Sequence, residues 1–534
     1  MKKTFLLSCL MLAAMPVMAA YTGHVYVDKN KNGVFDQSEK PLAGIKVSDG
    51  LNVVETAADG SFTLPGHERE RFIFITTPSG YKTFNRHYHK IEKKQSGYDF
   101  GLIPYSGRIR KDGSHRYIHI TDTEIFNTEN HADWVNNVRD YARNEQAAFI
   151  IHTGDICYEK GLKAHIKLMN TENMDCPVFY CIGNHDLVKG KYGEELFESI
   201  YGPVYYSFDA GNVHYVVTPM PGGDHAPGYT SDDVCRWLKN DLAHIRPGTP
   251  VVVFNHDLLT YEDTFIFKSK NAGSINLNEY NLKAWVYGHW HINYMKKQGD
   301  VYSVCTSSLD KGGIDHSTTA FRVMHVDSKG DFTSELRYTY LDKNICIASP
   351  AGVMASGVLP VAVNVYSSVS PVREVLYTCL ADGKPVLKNK RLLQSTDWSW
   401  NGELPLSHKY VGKELTLRVT ARFNNGEIAE AESNFICRTE KAVPLFSADW
   451  DNLSGNAKHS APVSAPLNLP LQLAWTNNVG ANLYMTSPLI HKGKVIVASV
   501  DEDLKGAGHV YALNGKDGTI LWSCPVRNSI KNSI

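Results

Sequence analysis

Five short stretches of this chain end in side chains able to hold a metal ion. In order they are Ile120-Thr121-Asp122 with Glu124 just beyond, Phe149-Ile150-Ile151-His152-Thr153-Gly154-Asp155, Cys181-Ile182-Gly183-Asn184-His185-Asp186, Phe254-Asn255-His256 and Tyr287-Gly288-His289-Trp290-His291. Each follows an apolar, β-rich run, as expected of strands that deliver ligands to one edge of a sheet. Carboxylate, amide and imidazole groups gathered this way suit hard or borderline divalent ions.

The surrounding pattern supplies the elements that must position them. From Tyr117 strands and helices alternate: an apolar strand at 117–121, a helix over 131–147 with Trp134, Val138, Tyr141 and Ala142 at helical spacing, and a strand ending at Asp155. A helix over 161–173 and a strand ending at Gly183 follow, then a hairpin around Asp209-Ala210-Gly211-Asn212. Thr230-Ser231-Asp232-Asp233 caps a helix carrying Val234, Trp237, Leu238 and Leu242, and buried strands run at 251–254 and 284–287. His119 and His152, inside strands, read as core residues, and Lys311-Gly312-Gly313 as a turn, with a phosphate contact as the competing reading.

At 534 residues the chain is too long for one core. Residues 21–103 read as an all-β module, 104–345 as the α/β metal-binding domain, 346–440 as an immunoglobulin-like sandwich and 441–467 as a linker. Over 468–534, Trp475 and the runs to Asp517-Gly518-Thr519-Ile520-Leu521-Trp522 resemble a single blade of a quinoprotein-type propeller. A propeller closes with about four to eight blades, so no cofactor is assigned there. In the first module, Asp28, Asn30, Asn32, Gly33 and Glu39, with Asp36 between, fit a twelve-residue calcium loop. A preceding strand argues against EF-hand helices, and a polar hairpin loop is the competing reading. The module as a whole resembles the small β-sandwich modules of bacterial surface proteins, in which such loops hold calcium structurally.

Residues 1–20 read as a secretory signal peptide: Lys2 and Lys3, an apolar core from Phe5 to Met15, then Val17-Met18-Ala19 for cleavage. Only five residues separate Lys3 from Cys9, too few for the apolar core of a lipoprotein signal. The expectation is an exported protein, periplasmic or on the cell surface, with no membrane span. A net charge of -1 argues for no nucleic-acid or anionic-membrane partner. Of ten cysteines, those beyond Cys9 are scattered and read mostly as small buried hydrophobes.

Together, Asp122, Gly154-Asp155, Gly183-Asn184-His185-Asp186, His256 and Gly288-His289-Trp290-His291 resemble the calcineurin-like metallophosphoesterases over roughly 116–340. The resemblance implies a β-sandwich core flanked by helices, with all-β domains before and after it. It also implies two divalent ions (manganese, zinc or iron), the first held by Asp122, Asp155 and His291 and the second by Asp155, Asn184, His256 and His289. Two ions about 3.5–4 Å apart activate water and neutralise phosphoryl oxygens. His185 would assist the leaving group, and Asp186 could orient that imidazole. The implied activity is hydrolysis of phosphate mono- or diesters of a small substrate.

One position departs from the family pattern. Asp-x-His is usual where this chain has Asp122-Thr123-Glu124, so Glu124 either ligates through oxygen or turns away. Gly154-Asp155-Ile156-Cys157-Tyr158 also fits the Gly-Asp-x-x-Tyr motif of purple acid phosphatases, whose tyrosinate ligates iron. Tyr158 as that ligand, Tyr158 as a packing aromatic, and a catalytically decayed binding protein are the alternatives.

Overall fold

A computed structural model describes residues 20–439 except 96, 315 and 342, together with 449–460, 471–500 except 484 and 485, and 508–531 except 528. The expected signal peptide lies outside the described residues apart from Ala20. No described helix is long and apolar enough to cross a membrane.

The metal-binding domain is built on two sheets. The first runs Val178–Tyr180, Phe149–His152, His115–Ile120, Ala320–Val326, Phe332–Tyr338, and its first three strands are parallel. The second runs Tyr206–Ala210, Val213–Val217, Val251–Phe254, Leu282–Tyr287, Val301–Cys305, Tyr294–Gln298. Period-two alternation decides what lies between them. Tyr117 and Phe149 face inward, their rings stacked at 4.7 Å, and meet Tyr215 and Phe254 of the second sheet. Ile118, Ile120 and Ile150 face outward and are covered by Trp134, Val138 and Tyr141 of the Ala132–Asn144 helix and by Leu162 of the Tyr158–Leu168 helix. The helix expected at 161–173 ends at Leu168, because the Asn170 side chain accepts from the N–H groups of Glu172 and Asn173 and starts a separate turn, Thr171–Met174. Thr230 and Asp233 form the capping box of the Ser231–Ala243 helix.

The N-terminal module is a sandwich of two small sheets whose core includes Val25, Val47, Phe62, Ile73, Ile75 and Phe100. Its strand Phe72–Ile75 is buried on both faces. Ile73 and Ile75 fill the module, whereas Phe72 and Phe74 join the core of the metal-binding domain, Phe74 lying 6.3 Å from Trp237. In the Asp28–Glu39 loop, Asp28 accepts from the N–H groups of Asn32 and Gly33, Glu39 from those of Lys29 and Asp36, and Asp36 from the amides of Asn30 and Asn32.

Behind the metal-binding domain, sheets Asn344–Ser349, Val358–Tyr366, Ser399–Pro405, Leu393–Gln394 and Gly352–Met354, Ile428–Cys437, Glu414–Phe423, Val372–Ala381, Lys384–Arg391 enclose Val363, Cys379, Trp400 and Leu417. The last unit is one four-stranded antiparallel sheet, from Leu489–His491 to Ile520–Pro525. Part of the expected linker belongs to it: Trp450 pairs with Ile490 through two backbone hydrogen bonds of 2.7 and 2.8 Å. Residues 440–448 and 461–470 lie outside the described residues. The nine described cysteines are free thiols, all buried except Cys346 and Cys524.

A buried charge cluster locks the first module in place. His214 is held between Asp209, 2.7 Å from Nδ1, and Asp241, 2.8 Å from Nε2. Ser207 Oγ bonds Asp241 at 2.8 Å and Thr76 of the module at 2.9 Å, and Lys46 of the module lies 4.0 Å from Asp209. Burial opposes the charge on His214, but Asp241 and Asp209 outweigh it and hold its pKa above the usual value. A folded-state pKa above the unfolded value of about 6.5 contributes stability that is complete below that pH and is lost as pH rises through the raised value. His214→Gln is therefore expected to destabilise by roughly 3 kcal/mol at pH 5.5 and by less at pH 9. Thermal melts showing equal losses at both pH values would contradict this.

Candidate metal centre

Parallel strands in register put their C-terminal ends side by side, and this is where a doubly covered sheet presents its ligands. Ile120 is opposite His152, and His152 opposite Tyr180. The backbone ladder continues past the strand ends: Asp122 N–H donates to Gly154 O at 3.0 Å, Glu124 N–H to Asp155 O at 3.2 Å and Cys181 N–H to His152 O at 2.7 Å. In the second sheet Asn255 N–H donates to Val286 O and Gly288 N–H to His256 O. All the motif residues thereby reach one edge of the sandwich.

Glycine at two positions permits the close approach. Gly154 has φ of 94°, and a Cβ there would lie 2.7 Å from Gly183 N and 2.8 Å from His256 Nδ1. A Cβ on Gly288 would come within 1.9 Å of Thr121 Oγ1 and 2.6 Å of Asp122 Oδ2. The ligand-bearing backbone itself is strained: Asp122, Glu124, Asp155, Cys157, Tyr158, His289 and His291 all have positive φ. Non-glycine residues in that region cost on the order of 1–3 kcal/mol each and persist where a site demands them.

Asp155 stands at the centre. Its Oδ2 lies 3.1 Å from His256 Nε2, its Oδ1 accepts the His185 N–H at 3.0 Å, and its donors cluster with those of His256 and His289. Asp122 Oδ1 lies 3.2 Å from His291 Nε2, while its Oδ2 accepts the N–H of His289 at 3.0 Å and the Thr121 hydroxyl at 2.7 Å. His256 Nδ1 donates to Thr153 O at 2.7 Å, which aims Nε2 at Asp155. Asp122 Oδ1, Asn184 Oδ1 and His256 Nε2 are buried without a hydrogen-bond partner. Buried polar atoms are nearly always partnered. Asp122 Oδ1 and His256 Nε2 face only other ligand candidates, His291 and Asp155, and Asn184 Oδ1 has no hydrogen-bond partner. Such a donor set fits divalent cations, so the residues present suit the expected metals.

Glu124 faces the same site, its carboxylate 3.5 Å from His291 Nε2 and clustered with Asp155. It is not free: Lys311 Nζ lies 2.7 Å from Oε2 and also donates to Glu124 O at 3.1 Å. The Lys311 turn thus reaches the centre, where it pairs with Glu124. Tyr158 is 43% exposed, and its ring lies 5.3 Å from that of His185 and stacks on Phe126 at 6.4 Å. His119 and His152 are buried and bonded to threonines, as expected of core residues. Trp290 stacks on Tyr261 at 5.9 Å and donates to Asp257. The Asp28, Asn30, Asn32, Asp36 and Glu39 group belongs to the separate loop of the first module.

The expectation for Asp186 is corrected. Asn184–Asp186 form a 3-10 turn, in which neighbouring side chains point about 120° apart. Asp186 therefore turns inward and accepts the N–H groups of Gly183 and Cys157, both at 2.9 Å, tying two ligand loops together. Burial and the Asp155 charge push its pKa up to about 7. The carboxylate that holds His185 is Asp224, with Oδ2 2.9 Å from Nδ1. Sequence reading missed Asp224; its signal is Gly223 just before it, which lets the loop lie against Asn184.

Burial works against charge on His256, yet Asp155 and Asp122 push its pKa up to about 9. Burial would likewise raise the Asp155 carboxyl, but the His256 charge outweighs it and holds it low. A ligating imidazole must be neutral at the bonding nitrogen. Metal uptake at pH 7.5 is therefore expected to release close to one proton from His256, and apparent affinity should fall up to about tenfold per pH unit below 9. Titration calorimetry of Mn2+ in buffers of different ionisation enthalpy measures this; a heat independent of buffer would contradict it.

Comparison with known proteins matches two segments of the chain. Residues 115–293 match the family model for calcineurin-like phosphoesterase, and residues 29–104 match the N-terminal domain of calcineurin-like phosphoesterase. Purple acid phosphatase 13 of Arabidopsis thaliana is 26% identical over 215 residues, 38% of this chain and 36% of the relative, so the chain spans about a third of that relative's length. A solved engineered protein aligns at 10% identity and TM-score 0.16 over 55% of this chain and 49% of its own. A conserved uncharacterized protein of Streptococcus pneumoniae TIGR4, described as a predicted phosphoesterase, aligns at 10% identity and TM-score 0.20 over 42% of this chain and 97% of its own. Neither structural likeness bears weight at these scores. The likeness to calcineurin-like phosphoesterases thus covers residues 29–104 and 115–293, and the second of these segments contains Asp122, Asp155, Asn184, His256, His289 and His291.

Proposed function

We propose that this protein is a two-metal hydrolase of phosphate mono- or diesters. The observation that carries the reading is Asp155, flanked by orphaned ligand atoms from both sheets. Asp122, Asp155 and His291 would hold one ion, with Glu124 beside them, and Asp155, Asn184, His256 and His289 the other. Bound there, divalent ions activate water and neutralise phosphoryl oxygens.

The chain's own residues do the rest. The Asp224 contact occupies His185 Nδ1 and leaves Nε2 as the nitrogen that can hand a proton to the leaving oxygen. Burial lowers the His185 pKa, but Asp224 and Asp155 outweigh it and favour the protonated acid. Asp186 keeps the Asn184 and Cys157 loops in register. Lys311 offsets the extra negative charge of Glu124 beside Asp122. The reading extends to export, which the first twenty residues support, and to structural calcium in the Asp28–Glu39 loop, which its ligand spacing supports.

A purple-acid-phosphatase-like iron site using Tyr158 is the second reading, favoured by the likeness to the Arabidopsis protein and by Gly154-Asp155-x-x-Tyr158. A purple protein whose colour disappears in Tyr158→Phe would select it; a colourless, active one selects the first.

Assays of p-nitrophenyl phosphate and bis-p-nitrophenyl phosphate with manganese, zinc or iron test the function. Turnover of at least one ester is expected. Asn184→Ala should weaken metal binding at least tenfold, and His185→Ala should lower kcat by roughly 10²–10⁴. If neither ester turns over and Asn184→Ala changes nothing, the protein is a binding protein rather than an enzyme.

A further inference from the structure

Asp224 lies on an exposed loop, yet it must hold His185 still. The loop, residues 221–229, is pressed against the His185 motif at one end. Asp224 N–H donates to Asn184 O at 3.1 Å, and a Cβ on Gly223 would come within 2.4 Å of that oxygen. In its middle, Ala226 O accepts the Gly193 N–H at 2.8 Å. At its far end, Gly228 N–H donates to the carboxylate of Glu194 at 2.8 Å.

Glu194 has a fully buried side chain, and the cation that compensates it comes from the N-terminal module. Arg71 Nη2 lies 2.8 Å from Glu194 Oε1 and 2.8 Å from Glu198 Oε1, with the guanidinium 4.7 Å from the centroid of the Tyr192 ring. Gly228 nests on this pair: a Cβ there would lie 3.0 Å from both Arg71 Nη1 and Glu194 Oε1. Arg69 adds a second arm, donating to Gly228 O at 2.6 Å and pairing with Asp233 at 2.9 Å. Arg71 immediately precedes Phe72–Ile75, the strand buried on both faces, so its base is rigid. A buried carboxylate stripped of its cation is strongly destabilised where it stands.

We infer that Arg71 is a positioning residue for the hydrolase proposed above: through Glu194 and the Gly228 end of the loop it holds Asp224, and thereby His185, in place for protonation of the leaving group. The N-terminal module is then part of the working centre. This inference rests on the phosphoesterase reading for its catalytic half; the connection from Arg71 to the loop is independent of it.

The two halves are separable by experiment on the full chain. A proton donor matters for an alkyl leaving group and little for p-nitrophenolate. Arg71→Met is expected to lower kcat for ethyl phosphate about tenfold more than kcat for p-nitrophenyl phosphate, with KM and bound manganese unchanged. Asp224→Asn should show the same leaving-group signature, and Arg71→Lys should restore part of it. Hydrogen exchange at the Gly228 amide should speed up at least tenfold in Arg71→Met. Should Arg71→Met fail to fold, Arg69→Ala on the more exposed arm should give the same signature at smaller size. Equal losses on both esters, or native kinetics, in a folded variant would overturn the inference while leaving the phosphoesterase reading intact. A native protein that hydrolyses neither p-nitrophenyl phosphate nor bis-p-nitrophenyl phosphate overturns that reading and the catalytic half with it. An unchanged Gly228 exchange rate overturns the connection itself.

Discussion

The contact between Asp155 and His256 is the one on which the rest of the centre depends. Asp155 follows a strand of the first sheet and His256 a strand of the second, so their 3.1 Å approach closes the open edge of the sandwich. Without a cation, the pair stabilises itself: the carboxyl is held low and the imidazole high. The same arrangement keeps Asn184 Oδ1 buried without a hydrogen-bond partner. Such atoms are costly to bury, by roughly 1–3 kcal/mol each. Left-handed backbone at Asp122, Asp155, His289 and His291 adds to that cost. The aromatic layer between the sheets, with Tyr117, Phe149, Tyr215 and Phe254 in contact, supplies the burial that offsets it.

A second theme is that the neighbouring units serve the centre. The Phe72–Ile75 strand divides its side chains between two cores, and His214 between two aspartates closes the same interface. The module cannot shift without disturbing the helix that follows the Asp224 loop, because Phe74 packs near Trp237 of that helix. Rigidity at this interface is what lets an exposed loop carry a precisely oriented carboxylate.

Local grammar explains what was legible from sequence. A strand followed by Gly-Asp, Gly-Asn-His or Gly-His-x-His fixes both the element and the residue at its end, so the convergence of Asp122, Asp155, Asn184, His256, His289 and His291 on one edge was legible, as was a two-sheet core with β-domains beside it. What failed was anything set by separation along the chain. Asp224 is 39 residues from His185, and Lys311 is 187 from Glu124; neither loop has a periodic pattern to announce the pairing. Asp186 misled through adjacency, since the tight turn at Asn184–Asp186 sends neighbouring side chains in different directions. Trp450 misled through composition, a strand contact concealed among Ser, Pro and Asn.

The central proposal is that Asp155 would serve as a ligand to both of two cations. Crystals soaked in Mn2+ and recorded for anomalous scattering at the manganese edge test it directly. The account predicts two peaks about 3.5–4 Å apart on either side of Asp155, one touching Asp122 and His291 and the other Asn184, His256 and His289. A single peak, or peaks that leave Asp155 uncoordinated, would contradict it.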